Sequence, residues 1–163
     1  EVFWDGTFVA PDQIFYKEML ITNDQARQTW LDAYAAINIC NTVLANIDLV
    51  SDDRKERVEG EAKFVRALVY FELVRVYARA WNDGDPTENP GVPLVLDPTT
   101  IDNVTAKTIR NPVSEIYTQV ISDLDDAVTL LPEVNGFFAT KYAAHAILSR
   151  VYLMQQDYAK ALL

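Results

Sequence analysis

Two short segments of the sequence place a tryptophan beside side chains that can hydrogen-bond to hydroxyl groups. Trp4 precedes Asp5, and Trp81 precedes Asn82 and Asp83. An indole face can cover the apolar side of a pyranose ring while neighbouring amides and carboxylates bind its hydroxyl groups, as in pockets with a few convergent polar groups. These five residues are the candidate ligand-binding residues. The alternative is that both tryptophans only cover the ends of helices.

Residues for other kinds of chemistry are scarce. His145 is the only histidine and Cys40 the only cysteine, so a Ser-His-Asp site or a Cys/His metal cluster would depend on single residues. We expect both residues to have structural roles in the core or on the surface. Asp123, Asp125 and Asp126 spread around a predicted helix, which favours a solvated face over a cation site. The sequence therefore predicts no metal, no cofactor and no enzymatic activity.

The charge balance excludes one class of partner. The 163 residues include 14 basic and 24 acidic side chains, which gives a net charge of −10. Such a chain repels phosphate backbones and anionic lipid headgroups, so nucleic-acid binding is not expected. No run of apolar residues reaches the roughly 18 that a membrane helix needs. The chain begins without Met and closes on residues that resemble the opening of a helix, so we expect a fragment of a longer protein.

Apolar periodicity predicts four long helices, at about residues 24–48, 53–80, 112–131 and 140–156, and the start of another at 157. Residues 1–22 are predicted to be a loop with one short helix near residues 11–20. A long loop, rich in proline and turn residues, covers residues 82–110. Long loops in compact domains are often functional, which makes this loop a candidate functional element.

Three side chains of the first two long helices carry specific predictions. Trp30 lies on the apolar face of the first helix and is assigned to the core. Asn41 lies in the middle of the same face, so its buried amide should bond to the backbone of a neighbouring loop. Arg66 projects from an apolar part of the second helix and should have a carboxylate partner, because an unpaired buried guanidinium is strongly destabilising.

Two of the predicted helices end in the same tripeptide, Arg-Val-Tyr, at residues 75–77 and 150–152. Both helices set large side chains between small ones. This pattern is typical of stacked helical hairpins of the tetratricopeptide type, in which small residues let helices approach closely. The predicted fold is therefore all-α, a tetratricopeptide-like superhelix of antiparallel hairpins with one long Pro-rich loop, and residues 1–163 form one domain.

A series of short motifs follows in a specific order over residues 24–163. The motifs are Trp30-x3-Tyr34-x2-Ile37-x3-Asn41, Glu61-Ala-Lys-Phe-Val-Arg-Ala67 with Tyr70-Phe71, Val92-Pro-Leu-Val95, Arg110 to Tyr117, Asp123-Leu124, Leu130-Leu-Pro132, Lys141 with Ala143-Ala144, and Arg150-Val-Tyr-Leu153. Their order and spacing resemble the N-terminal part of the SusD/RagB family, the outer-membrane nutrient-binding lipoproteins of Bacteroidetes.

The resemblance implies a function as well as a fold. A helical scaffold would carry loops that bind an oligosaccharide or polysaccharide and present it to a TonB-dependent transporter. The protein would lie at the outer membrane as a surface-exposed or periplasm-facing lipoprotein, held by a lipid anchor that these residues do not contain. Two alternatives stay open: a tetratricopeptide-type adaptor that binds another protein without sugar, and a glycoside hydrolase that uses two of the carboxylates.

Overall fold

The computed structural model describes residues 5–105 and 107–162, and over these residues the chain is helical without a β-strand. Five α-helices follow one another: α1 Val9–Phe15, α2 Asp24–Ala45, α3 Asp52–Tyr77, α4 Val113–Leu130 and α5 Lys141–Met154. Short 3-10 turns occupy Ile47–Leu49 and Lys160–Leu162. The prediction of an all-α fold is confirmed, whereas the tetratricopeptide-like superhelix stays a prediction. Among the described helices, none is both long and apolar enough to cross a membrane.

The chain divides into two compact units, of which the first ends at Ala35 and the second begins at Ala36, inside α2. The single domain expected over residues 1–163 stays a prediction. The helix predicted at about residues 53–80 ends three residues earlier, at Tyr77, and the residues after 157 form the 3-10 turn in place of an α-helix.

The first unit is organised by Asn23, whose side chain is buried. Its Nδ2 donates to the carbonyl of Ala10 and to Oε1 of Gln13, both at 2.9 Å, and its Oδ1 accepts from the amide of Ala26 at 3.0 Å. Asn23 therefore caps the start of α2 and ties α1 to it, since an asparagine oxygen satisfies one of the free amides of a helix N-terminus.

Trp30 is only half-buried, so its assignment to the core was wrong. Its ring packs against that of Tyr34, with 5.0 Å between the centroids. The buried residues of α2 are Ile37, Cys40 and Asn41, so the apolar face of this helix becomes interior only in its second half. Apolar periodicity predicts the direction in which a side chain points, but not how completely other parts of the protein bury it.

The core of the second unit lies between α3, α4 and α5. The helices α3 and α4 are antiparallel, because Lys63 pairs with Asp126 while Phe71, further along α3, meets Tyr117 near the start of α4. α5 packs mainly against α4 and also contacts α3, where Arg150 bonds to Glu72. The fully buried side chains include Ile37, Tyr70, Phe71, Val74, Val113, Ile116, Val120, Leu124, Leu148 and Val151. This core is the frame from which the loop between α3 and α4 extends.

Candidate functional site

The predicted residues Trp81, Asn82 and Asp83 lie in a turn shortly after α3 ends at Tyr77. The indole of Trp81 is half-buried and packs against the ring of Tyr117 on α4, with 4.9 Å between the centroids and 56° between the planes. Asn82 and Asp83 are exposed. We call residues 80–84 the Trp81 turn. It presents an aromatic surface with an amide and a carboxylate beside it, the combination that sugar recognition requires.

The turn is closed through its backbone. The amide of Asp83 donates to the carbonyl of Ala80 at 3.0 Å, and the buried side chain of Asn89 donates to the carbonyl of Asp83 at 2.7 Å. Gly84 has φ +87°, a conformation that side-chain-bearing residues rarely adopt. Since these contacts use main-chain atoms of the turn, its shape does not depend on the side chains of Asn82 or Asp83.

Trp81 packs on a stack of aromatic rings and guanidinium groups. Tyr117 is almost fully buried and meets the ring of Phe71 edge-on at 6.0 Å. The guanidinium groups of Arg75 and Arg150 lie 5.3 and 5.7 Å from the centroid of the Phe71 ring. Burial raises the pKa of Tyr117, so its phenol is neutral at physiological pH. Trp81 therefore lies on a support whose own rings are fixed by packing.

The two cations of this stack share one carboxylate. Glu72 accepts hydrogen bonds from Arg75 at 2.7 Å and from Arg150 at 3.2 Å. Both guanidinium groups share this one counter-charge, so a single positive charge remains on this side of the stack.

The loop between α3 and α4 is fixed deeper in the molecule by a buried ion pair. Arg66 donates to both oxygens of Asp123, each at 2.8 Å, and to Oδ1 of Asn41 at 2.9 Å. Asn41 in turn donates to the carbonyls of Val95 at 2.9 Å and Asp97 at 3.2 Å. The two predictions, a carboxylate partner for Arg66 and a loop backbone partner for Asn41, are confirmed. The solvated position expected of Asp123 is wrong, because the apolar arc of α3 that carries Arg66 faces it.

Tyr70 adds a second bond to the same segment of the loop. Its hydroxyl accepts from the amide of Val95 and donates to the carbonyl of Val95, both at 2.8 Å. Burial raises the pKa of Tyr70 to about 12, so the hydroxyl keeps the proton that it donates. Both polar backbone groups of Val95 are thereby satisfied in the interior, as buried backbone groups must be.

The two ends of the loop are tied together by Arg110. Its guanidinium donates to the carbonyls of Gly91 at 2.5 Å, Pro90 at 2.9 Å and Tyr77 at 3.0 Å. The amide of Gly91 donates to the carbonyl of Asn111 at 2.7 Å. A Cβ atom on Gly91 would lie 2.8 Å from that oxygen, so only glycine fits this close approach. Arg110 was not predicted to have this role from the sequence.

Tyr117 was also missed as part of the candidate site. It lies on the buried face of α4, and a signal was present, because a tyrosine on an apolar helix face often supports a neighbouring ring. Trp4 lies outside the described residues. Asp5 is exposed and belongs to the first unit, whereas the Trp81 turn belongs to the second. The grouping of all five residues into one site stays a prediction.

The part of the chain that the structure describes offers few side chains for metal binding or nucleophilic catalysis. Among residues 5–105 and 107–162, no group of three or more histidine, cysteine, aspartate or glutamate side chains could hold a metal ion. Cys40 is buried, and burial raises the pKa of its thiol, which lowers the fraction of nucleophilic thiolate.

Comparison with known proteins gives a consistent set of matches. A family model described as SusD-like, starch-binding and associating with the outer membrane, matches residues 9–153. SusD-like protein P2 of Formosa agariphila is 31% identical over 85% of this chain and 26% of its own length. A SusD-like protein of Bacteroides ovatus is 27% identical over 79% of this chain and 22% of its own. The chain thus spans about a quarter of the length of these relatives.

Solved structures agree in fold. A SusD superfamily protein from Bacteroides fragilis superposes with a TM-score of 0.86 at 31% identity, over 96% of this chain and 38% of that chain. A laminarin-binding SusD-like protein gives 0.68 at 27% identity, over 83% and 28%. A structure with xylogluco-oligosaccharide gives 0.71 at 26% identity, over 86% and 26%.

Proposed function

Because this chain belongs to the SusD-like family, a carbohydrate-binding family, we propose that its Trp81 turn binds glycans. The observation that carries the proposal is the half-buried indole of Trp81, stacked on Tyr117, with exposed Asn82 and Asp83 next to it. A pyranose ring would cover the indole, and its hydroxyl groups would bond to the amide and the carboxylate. Trp4 and Asp5 are proposed as a further contact of the same kind.

Two structural neighbours support this class of ligand. One is described as laminarin-binding, and another was solved with xylogluco-oligosaccharide. We propose an oligosaccharide or polysaccharide as the ligand and no chemical step on it.

The wider role follows the family description, which associates it with the outer membrane. We propose that the protein presents its glycan to a TonB-dependent transporter and is held at the membrane, as a surface-exposed or periplasm-facing lipoprotein, by an anchor outside these 163 residues. Residues 36–163 would act mainly as the helical scaffold, since the buried bonds of Arg66, Tyr70 and Asn41 serve to fix a loop.

One observation favours the alternative of a protein-binding adaptor. The turn between α4 and α5 exposes Val134, Phe137 and Phe138, and the Phe137 side chain is fully accessible. The side chain of Asn135 holds this turn by donating to Glu61 and to the carbonyl of Ala139, both at 2.8 Å. A fixed apolar tip of this kind is typical of a contact with another protein.

The proposal is tested by titrating the protein with malto-, laminari- and xylogluco-oligosaccharides, followed by tryptophan fluorescence and calorimetry. We expect saturable binding that weakens about tenfold or more in Trp81→Ala, because the ring loses its stacking surface. Trp30→Ala is the matched control, since Trp30 is also half-buried but packs on Tyr34 in α2.

Equal affinity of wild type and Trp81→Ala for the bound saccharide would contradict the proposed site. Binding of a protein alone, lost on Phe137→Ala, would favour the adaptor. The release of reducing ends from the saccharide would show an enzyme and overturn the non-catalytic role.

A further inference from the structure

A cleft of about 660 Å³ lies within the first unit, between the start of α1 and the first turns of α2. Its volume falls within the roughly 300–1,000 Å³ that small-molecule sites occupy. One wall is apolar and includes Phe8 and Pro11, and the opposite wall is polar and includes Arg27, Gln28 and Asp32. None of these residues was predicted from the sequence to bind a ligand.

The two walls are held at a fixed separation by Asn23. Its buried amide bonds to Ala10 on the apolar wall, and its Oδ1 caps the helix that carries the polar wall. A specific buried contact therefore joins the two walls of the cleft.

The apolar wall offers a surface for stacking. The Phe8 side chain is 75% exposed, although it borders a cleft and precedes the first residue of α1. An exposed phenyl ring beside a polar wall can cover one face of a sugar ring, whose C–H groups are apolar.

The polar wall is organised for hydroxyl groups. Gln28 donates to Asp32 at 2.8 Å, and Arg27 donates to Asp24 at 3.2 Å. Each carboxylate accepts up to about four hydrogen bonds, and the Gln28 carbonyl accepts as well, so these pairs keep capacity for a ligand's O–H groups. With two carboxylates against one guanidinium, the wall repels phosphates and acids. Since Asp24 is already paired with Arg27, a neutral polyol suits the wall better than a cationic peptide.

We infer that this cleft is a second glycan-contacting site, in which one sugar ring stacks on Phe8 while its hydroxyl groups bond to Gln28 and Asp32. The inference rests on the proposed function for the class of ligand. The cleft and the Trp81 turn share no residues, so one of the two proposals can fail while the other stands.

The test titrates the intact protein with laminari-, xylogluco- and malto-oligosaccharides by calorimetry and by NMR of the side-chain amides. In the unmodified protein, the Gln28 amide signal should shift on saturation, while that of Gln119, which is bonded to Asp123 on α4, serves as the reference. Phe8→Ala should weaken binding about tenfold and Gln28→Ala about threefold. Phe15→Ala is the matched control, because Phe15 is the last residue of the helix that Phe8 precedes, but it packs against Tyr16 and does not line the cleft.

The outcomes separate the two sites. An unshifted Gln28 signal, with Phe8→Ala binding as tightly as wild type while Trp81→Ala is weakened, would overturn this inference and leave the proposed function standing. Weakened binding in Phe8→Ala with no effect of Trp81→Ala would support the cleft and overturn the Trp81 turn. A Gln28 signal that shifts with a lysine-rich peptide and with none of the saccharides would overturn the glycan assignment of the cleft.

Discussion

The loop between α3 and α4 contains two adjacent segments that are held in different ways. In the anchored segment, residues 89–99, backbone groups bond to side chains from α2 and α3, namely Asn38, Asn41 and Tyr70. In the exposed segment, residues 100–105, Asn103 bonds only locally, to Thr100 and Pro98, and Ile101 is 94% exposed. Buried backbone groups need protein partners, whereas exposed ones can use water. The rigid part of the loop is therefore the part that lies against the helices.

The loop also contains a structural part, the anchored segment, and a candidate binding part, the Trp81 turn. The anchored segment determines where the loop returns to α4, and the Trp81 turn precedes it with its polar side chains exposed. A loop with a fixed base and accessible side chains is the usual arrangement of binding residues on a rigid frame.

The largest expected effect comes from breaking the ion pair beneath the anchored segment. Arg66→Ala leaves Asp123 buried without its partner and removes a donor from Asn41, so the free energy of unfolding should fall by about 3–5 kcal/mol. Chemical denaturation measures this decrease in the free energy of unfolding. The double variant Arg66→Met with Asp123→Leu should recover much of the loss, because no charge remains unpaired.

Arg75→Ala is the control for that change. Arg75 also pairs with a carboxylate, Glu72, but both side chains are partly exposed, so the cost should stay within about 1 kcal/mol. Equal losses for Arg66→Ala and Arg75→Ala would contradict the view that burial makes the anchored segment rigid.

A smaller effect, with a pH signature, is expected of Tyr70→Phe. Losing the hydroxyl leaves the Val95 amide without its partner, while the Val95 carbonyl keeps its bond from Asn41, and this should cost about 1–3 kcal/mol at pH 8. The pKa of Tyr70 is about 12 in the folded protein, raised from 10.0. The folded state therefore binds this proton more tightly, and its contribution is complete below pH 10 and lost as the pH rises through 12.

Unfolding measured at pH 8 and at pH 11 should thus show a smaller difference between wild type and Tyr70→Phe at the higher pH. Burial raises the pKa values of Tyr117 and Tyr152 too, but both variants contain them, so the comparison isolates Tyr70. A difference that does not change with pH would show that this hydroxyl is not buried as described.

The smallest effect is expected in the exposed segment. Asn103→Ala removes bonds to Thr100 and Pro98 that water can replace, so the free energy of unfolding should change by less than about 0.5 kcal/mol. The same denaturation experiment measures it. A loss above 1 kcal/mol would mean that the exposed segment contributes to the core, which would erase the distinction between the two segments.

Much of the fold was accessible from local pattern. The 3.6-residue period of apolar residues predicted α2, α3, α4 and α5, because a helix that buries one face repeats apolar residues every three to four positions. The same reasoning showed that Arg66 and Asn41 need partners, since a polar group on an apolar face must be satisfied wherever it is buried. The Trp81 turn was found from its residue types, but not the ring on which it stacks.

The sequence by itself determined the helices, their apolar faces and the two side chains that required partners. Only the tertiary structure decided who those partners are: Asp123 lies 57 residues from Arg66, and Val95 lies 54 residues from Asn41. It also decided that Trp30 is half-exposed and that Asn23 opens a cleft beside Phe8. The physical reason is that periodicity is a local property of the chain, while the partner of a buried group depends on how distant helices pack.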